Sequence, residues 1–243
     1  MTATSTTPAV GRFSSPKRRR RRLWARLVLV MMVVLALVGG GGYVALGTDL
    51  LVVKTVRVLG THAVSAAAVE TAAQVPLGTP MVRLDTGALR RRVLARLPGV
   101  ATVAVHRQWP STVRLVVTER VAVAAVPHSG RYLLVDRTGL PFGTAARLPG
   151  GLSVLQVATP DRGDPATVAG VSVLVSLPAD LRALLVRVEA TSAEQVDLVL
   201  RDRRRVVWGS ASDATEKAAV VRVLLKRPGR VIDVSAPGLA TVR

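Results

Sequence analysis

The sequence predicts an α+β protein. It should have a single N-terminal transmembrane helix, then a β-α-α-β-β domain, then a C-terminal, mostly antiparallel β domain with flanking helices. Three observations predict this class. One uncharged run of 20 residues, 27–46, stands near the N-terminus. Short segments with apolar side chains at every second position recur downstream, the period of a half-buried strand. Between them lie stretches with apolar residues three and four apart, the period of an amphipathic helix.

The run 27–46 reads LVLVMMVVLALVGGGGYVAL, and eleven of its residues are Leu or Val. As a helix it spans about 30 Å, the thickness of a bilayer's hydrocarbon core. At roughly −0.3 to −0.6 kcal/mol each, the Leu and Val residues favour insertion by about 3 to 7 kcal/mol. A cleaved signal peptide with its core at 27–38 is the alternative. The long preceding tail and the return of apolar character at 43–46 favour an uncleaved anchor. The four glycines at 39–42 are followed by no Lys-Ser/Thr pair, so they do not make a phosphate loop. They are expected to loosen or tilt the outer end of the helix.

Charge sets the orientation. Residues 1–26 contain Arg12, Lys17, Arg18, Arg19, Arg20, Arg21, Arg22 and Arg26 and no acid, a charge of +8 out of a net +19. Positive flanks stay in the cytoplasm, so the chain from about Gly47 onward is expected outside. The membrane-proximal basic set Lys17, Arg18, Arg19, Arg20, Arg21, Arg22 and Arg26 suits anionic lipid headgroups, at about 1 kcal/mol per charge. Residues 1–26 are expected to be a disordered basic cytoplasmic tail. Beyond it, 26 basic and 15 acidic residues are interspersed, and aromatics make up 3% of the chain. That pattern argues against nucleic acid as a partner, since no basic patch interleaves with stacking rings.

Residues 51–119 form the first predicted domain. A strand at 52–59 alternates apolar and charged residues and stops at Gly60. Ser65 is placed to cap a helix at 66–75, ahead of Pro76. Thr86 opens a second helix with Leu89, Val93, Leu94 and Leu97 on one face, ended by Pro98-Gly99. A strand at 100–106, a Trp109-Pro110-Ser111 turn and a strand carrying Val113, Leu115 and Val117 on one face complete the unit at Glu119. The element order, "VRVLG", and "RLPGVATVAVHRQWPSTVRLVVTERVAVA" with its Trp-Pro turn resemble a POTRA domain, most closely that of the bacterial FtsQ/DivIB family.

Residues 120–243 form the second predicted domain. A strand at 121–126 and another at 132–135 lead into Asp136-Arg137-Thr138-Gly139, a β-turn with Asp first and Gly fourth. Asp136 is read as a turn-stabilising residue rather than a catalytic acid. Helices follow at 164–176 and 178–184, strands at 185–190, 196–200 and 206–208, and an arginine-rich tip at 201–205. A helix at 215–225 buries Val221 and Leu225. Segments 231–234 and 239–243 close the chain around Ala236-Pro237-Gly238. This order, the Val135–Gly139 turn, the late helix bearing Lys217 and the closing strands introduced by Ile232-Asp233 resemble the FtsQ β domain. With both domains, the resemblance covers residues 23–243.

Chemistry-bearing patterns are scarce. His62, His106 and His128 make no i, i+4 pair, and there is no cysteine, so no metal set is recognisable. Neither a Gly-x-Ser-x-Gly elbow nor a Ser-x-x-Lys motif occurs. The expectation is no enzyme, no cofactor and no small-molecule substrate. A last strand at a sheet edge instead offers unpaired N–H and C=O groups to an extended partner. The resemblance implies an essential-type cell-division scaffold in the cell membrane at the septum, docking FtsB/FtsL-like partners on this edge. The residues it assigns by position are Val234, Ser235, Ala236, Pro237, Gly238, Leu239, Ala240, Thr241 and Val242. A secreted or anchored POTRA-type envelope module unrelated to division is the alternative.

Overall fold

The computed structural model describes residues 17–47 and 51–243. The tail at 1–16, predicted to be disordered, lies outside the described residues. Helix α1 spans Lys17–Gly47, so residues 17–26 are helical rather than part of a disordered tail. The physical reason is propagation: Arg and Lys are good helix formers, and extending an existing helix costs far less than nucleating one. Helix α1 also runs through the glycines at 39–42. Its stretch Trp24–Tyr43 is long and apolar enough to cross a membrane, and it packs against nothing among the described residues.

The chain separates into two compact units. One runs to Val56 and adds Pro76–Asp85 and Arg107–Val113. In it the chain after α1 lies between two loops. Val53 N–H donates to Thr79 O at 2.9 Å, Gly78 N–H donates back to Val53 O at 2.9 Å, and Lys54 N–H donates to Ser111 O at 2.8 Å. Because residues 52 and 53 bond to loops, strand β1 covers Thr55–Leu59, not 52–59 as predicted. Val53, Met81, Leu84 and Val113 are buried.

The second unit takes Arg57–Val75, Thr86–His106 and Arg114–Arg243. Helix α2 (Ala66–Ala73) is capped by Ser65, which accepts from Ala68 N–H, and ends on Gln74 in the left-handed region. Helix α3 (Thr86–Arg96) buries Leu89 and Val93. Arg92 Nη1 donates to Ala73 O and Gln74 O, and Arg96 Nη1 to Ala72 O, satisfying carbonyls at the end of α2. Strands β2 (Val100–Gln108) and β3 (Thr112–Glu119) complete a sheet of order β1-β3-β2. Gly60 closes β1 at φ +81°, where a Cβ would lie 2.2 Å from Val117 O. Only glycine fits there.

A nine-stranded sheet follows. Its strands are β4 (Ala122–His128), β5 (Arg131–Asp136), β6 (Pro141–Ala145), β7 (Ser153–Gln156), β8 (Leu185–Ser192), β9 (Gln195–Leu200), β10 (Arg205–Val207), β11 (Val231–Asp233) and β12 (Thr241–Val242). Their order is β12-β11-β10-β9-β8-β7-β4-β5-β6. Hairpins make the antiparallel pairs. Among the described residues three pairs are parallel: β4–β7, separated in sequence by strands β5 and β6, and β7–β8 and β10–β11, each separated by a helical crossover. Those crossovers are α4 (Pro165–Ser176) with α5 (Ala179–Leu184), and α6 (Ala214–Leu224). Strands β6 and β7 were not predicted; β6 contains Pro141 and Gly143, which weaken strand character, and it sits at the other sheet edge, where proline is tolerated.

Helix α4 starts at Pro165 because Asp164 is its cap, accepting from Thr167 N–H at 2.8 Å and Thr167 Oγ1 at 2.6 Å. Its Gly170 lies where a Cβ would be 2.6 Å from Leu155 Cδ1 and 3.2 Å from Ala190 Cβ, so the helix packs backbone-close on the sheet. Helix α6 buries Lys217, Ala218, Val221 and Leu224; Leu225, expected in the core, is only partly buried. The core also includes Leu155, Val173, Leu198, Trp208 and Ile232.

Candidate functional site

Register builds the C-terminal edge. Strand β11 lies beside β10, matching Val206 to Ile232, and carries β12 antiparallel on its other side, matching Ile232 to Val242 and Asp233 to Thr241. Arg243 N–H donates to Val231 O at 2.9 Å and Val231 N–H to Arg243 O at 2.8 Å. Alternation along an antiparallel ladder then directs the N–H and C=O of Val242 away from β11. Among the described residues no strand lies beyond β12. Gly229, at φ +145°, admits this pairing: a Cβ there would meet Val242 Cγ1 at 2.3 Å.

The nine residues predicted for this edge do not form one strand. Only Thr241 and Val242 belong to β12, and Pro237–Leu239 is a 3-10 turn. Proline lacks an N–H and Pro-Gly favours turns, so an extended ladder cannot run through 236–239. Val234 is fully buried and donates its N–H to Val207 O at 2.9 Å, so its side chain is core. Ser235 is held by Asp233, whose Oδ1 accepts from Ser235 N–H at 3.0 Å and Ser235 Oγ at 2.7 Å. Ala236 and Gly238 are exposed, and Ala240 is partly buried. Leu239 is 82% exposed and projects beside the short strand. Of the basic set, Arg26 is exposed on α1; the side chains of residues 17–22 lie outside the described residues.

Across the solvent side of the same sheet the register aligns Glu189, Asp197, Val207, Asp233 and Thr241 in one row. Arg205 spans part of it, donating Nη2 to Glu189 Oε2 at 2.9 Å and Nη1 to Asp197 Oδ2 at 3.2 Å. Burial pushes the Asp197 carboxyl up; Arg205 opposes this, while Glu189 and Asp233 add to it. The 201–205 tip is thus partly neutralised from within. Arg204 also donates Nη1 to Leu225 O at 2.8 Å and Nε to Asp202 Oδ2 at 2.5 Å.

Glu119 and Lys217 have roles that the sequence pattern did not reveal, and Asp136 has one beyond the turn that the pattern did. Glu119 accepts the backbone N–H groups of His62, Ala63 and Val64 at 2.6 to 2.9 Å, and these bonds hold its carboxyl below the usual range. Asp136 does stabilise its turn, its Oδ1 accepting from Thr138 N–H, Thr138 Oγ1 and Leu140 N–H. Its other oxygen pairs with Arg120, a residue 16 positions earlier. Burial pushes this carboxyl up, but the Thr138, Arg120 and Leu140 hydrogen bonds outweigh it and hold it low. Lys217 is buried and donates Nζ to Ser210 O at 2.9 Å. Desolvation lowers its amine, against the pull of Asp213 and Glu194. No group of three His, Cys, Asp or Glu suited to a metal occurs among the described residues.

Comparison with known proteins bears on this architecture. Residues 51–120 match the family described as POTRA domain, FtsQ-type. Cell division protein FtsQ of Mycobacteroides abscessus is 38% identical over 202 residues, covering 83% of this chain and 64% of that protein. The chain therefore spans slightly less than two thirds of that relative's length. Cell division protein FtsQ of Streptomyces collinus is 37% identical over 208 residues, covering 80% of this chain and 79% of that one. The chain belongs to the FtsQ family. A solved structure, the major extracytoplasmic domain of the trans isomer of DivIB from Geobacillus stearothermophilus, aligns with 46% of this FtsQ-family chain at 16% identity and a TM-score of 0.34. The family assignment rests on the sequence relatives. The resemblance read from the Trp109-Pro110 turn and its flanking strands therefore identified the right FtsQ family.

Proposed function

We propose that this chain is a non-enzymatic scaffold of bacterial cell division. It is anchored in the plasma membrane by α1, with the basic end in the cytoplasm and residues 51–119 and 120–243 outside as two domains. Family membership supports the division role. The observation that carries the docking role is the C-terminal edge, where Val242 turns its peptide N–H and C=O outward beside exposed Leu239. An extended segment of an FtsB/FtsL-like partner adds to β12 there as a further strand, with main-chain hydrogen bonds for affinity and the Leu239 side chain for selectivity. The basic residues 17–22 and Arg26 sit against anionic headgroups of the cytoplasmic leaflet.

The test substitutes Val242→Pro. A proline on an outward-facing edge position leaves the β11 ladder intact but removes the N–H the partner needs. Photocrosslinking from residues 239–242 in dividing cells should capture other division proteins, and Val242→Pro should cut that capture by about tenfold, equivalent to one or two hydrogen bonds. A fluorescent fusion should gather at midcell. Undiminished capture by Val242→Pro, or uniform envelope fluorescence, would overturn the reading.

A further inference from the structure

The unit that follows α1 presents three large apolar side chains to solvent. Leu77 is 65%, Val82 52% and Trp109 52% exposed. They are not scattered. Leu77 precedes Gly78-Thr79, whose backbone bonds to Val53, and Trp109 lies two residues before Ser111, whose carbonyl receives Lys54 N–H. Val82 lies in the 3-10 turn that begins directly after Pro80, the bridge partner of Val52. All three thus border the segment 52–54, the first folded residues after the helix.

Three residues, 48–50, separate the end of α1 at Gly47 from Leu51. Four peptide links reach at most about 15 Å, less than half the thickness of a bilayer. A domain tethered so closely cannot hold these loops far from the surface its helix leaves. Within 52–56, 76–85 and 107–113, moreover, the charged side chains are Lys54, Arg83 and Arg107 against Asp85 alone. Scattered apolar side chains on a surface need no explanation; a Trp, a Leu and a Val beside excess cations at a membrane tether do. Indole rings favour the headgroup level, where one edge is apolar and the other wet.

We propose that this end of the domain rests on the lipid surface from which α1 emerges, with Trp109, Leu77 and Val82 entering the headgroup layer and Lys54 and Arg83 meeting anionic phosphates. The contact sets the tilt of the domain on the bilayer. This rests on the reading of α1 as a membrane anchor.

The three tryptophans, Trp24, Trp109 and Trp208, make the test direct. The full chain is placed in vesicles of phosphatidylethanolamine with a minority of phosphatidylglycerol, containing lipids brominated near the headgroup. In Trp24→Phe, bromolipid should quench Trp109 severalfold more than it quenches buried Trp208 in the Trp24→Phe/Trp109→Phe baseline. Adding Leu77→Asp and Val82→Asp, both at exposed positions, should return quenching to that baseline. Baseline quenching in Trp24→Phe, while Trp24 is quenched in Trp109→Phe, overturns the proposal and leaves the anchor standing. If Trp24 is also unquenched and alkali extracts the chain, the anchor reading falls and this one with it. Trp109 shielded from aqueous acrylamide in proportion to protein concentration, yet untouched by bromolipid, would assign the surface to a second copy of the chain instead.

Discussion

Asp136 shows how one side chain can hold two parts of a chain. Its first oxygen closes the turn at 136–140, and its second binds Arg120, the residue after β3. The carboxyl is held below its ordinary range in the folded state. Its contribution is therefore complete above the unfolded value, about 4, and is lost as pH falls through the lower folded value. Urea unfolding followed by the fluorescence of buried Trp208 should show stability falling below about pH 4, and Asp136→Asn should flatten that fall. At pH 7 the same variant should cost about 2 to 4 kcal/mol, because Arg120 loses its charged partner. Lys217 behaves differently. Its ammonium is desolvated for one carbonyl acceptor, so Lys217→Met, which keeps the volume, should change stability by less than about 1 kcal/mol. Lys217→Ala leaves a cavity and should cost about 2 to 4 kcal/mol.

Among the elements, the crossover helices show how packing overrides simple pattern. Helix α4 is apolar on nearly every side, and Gly170 is what allows its close approach to Leu155 and Ala190. Gly170→Leu should destabilise the chain by about 1 to 3 kcal/mol through overpacking, read as a lower urea midpoint with unchanged slope. Helices α5 and α6 are tied by Arg222, whose fork donates to Asp180 at 2.7 and 2.8 Å and holds that carboxyl down to about 2. Strand β12 depends on Gly229. Gly229→Ala would place a Cβ against Val242 in a backbone region that L residues avoid, so hydrogen exchange at the Arg243 and Val231 amides should speed up by tenfold or more. Many of these elements were legible in advance: Ser65 as a cap, Val113, Leu115 and Val117 as a core face, the turn at Asp136. The bounds of β1 were misread because Val52, Val53 and Lys54 look like strand residues, yet Val52 and Val53 are claimed by loop 78–80 and Lys54 by Ser111.

For the whole molecule, charge and hydropathy act through position. The proposed orientation rests on the basic residues at the N-terminal end of α1, since positive flanks stay in the cytoplasm. Replacing Arg18, Arg19, Arg20, Arg21 and Arg22 with Gln should therefore give a mixed orientation, seen as partial protease protection of the C-terminal domain in spheroplasts. A single protected or single exposed population would count against charge as the determinant.

What the sequence determined alone were properties carried by composition and local period: the apolar span, the β-α-α-β-β order and the FtsQ family, through the Trp109-Pro110 turn and its flanking strands. Tertiary structure decided which residues are available. Val234 and Leu239 look equally apolar in the sequence, yet one is bonded beside β10 with its side chain in the core and the other projects into solvent. Burial depends on what packs from elsewhere in the chain, here the shared core of the nine-stranded sheet and its helices, and nothing in a residue's immediate neighbours encodes that. The same holds for Glu119, Arg120 and Asp136, whose partners are set by the register of strands that meet only when folded.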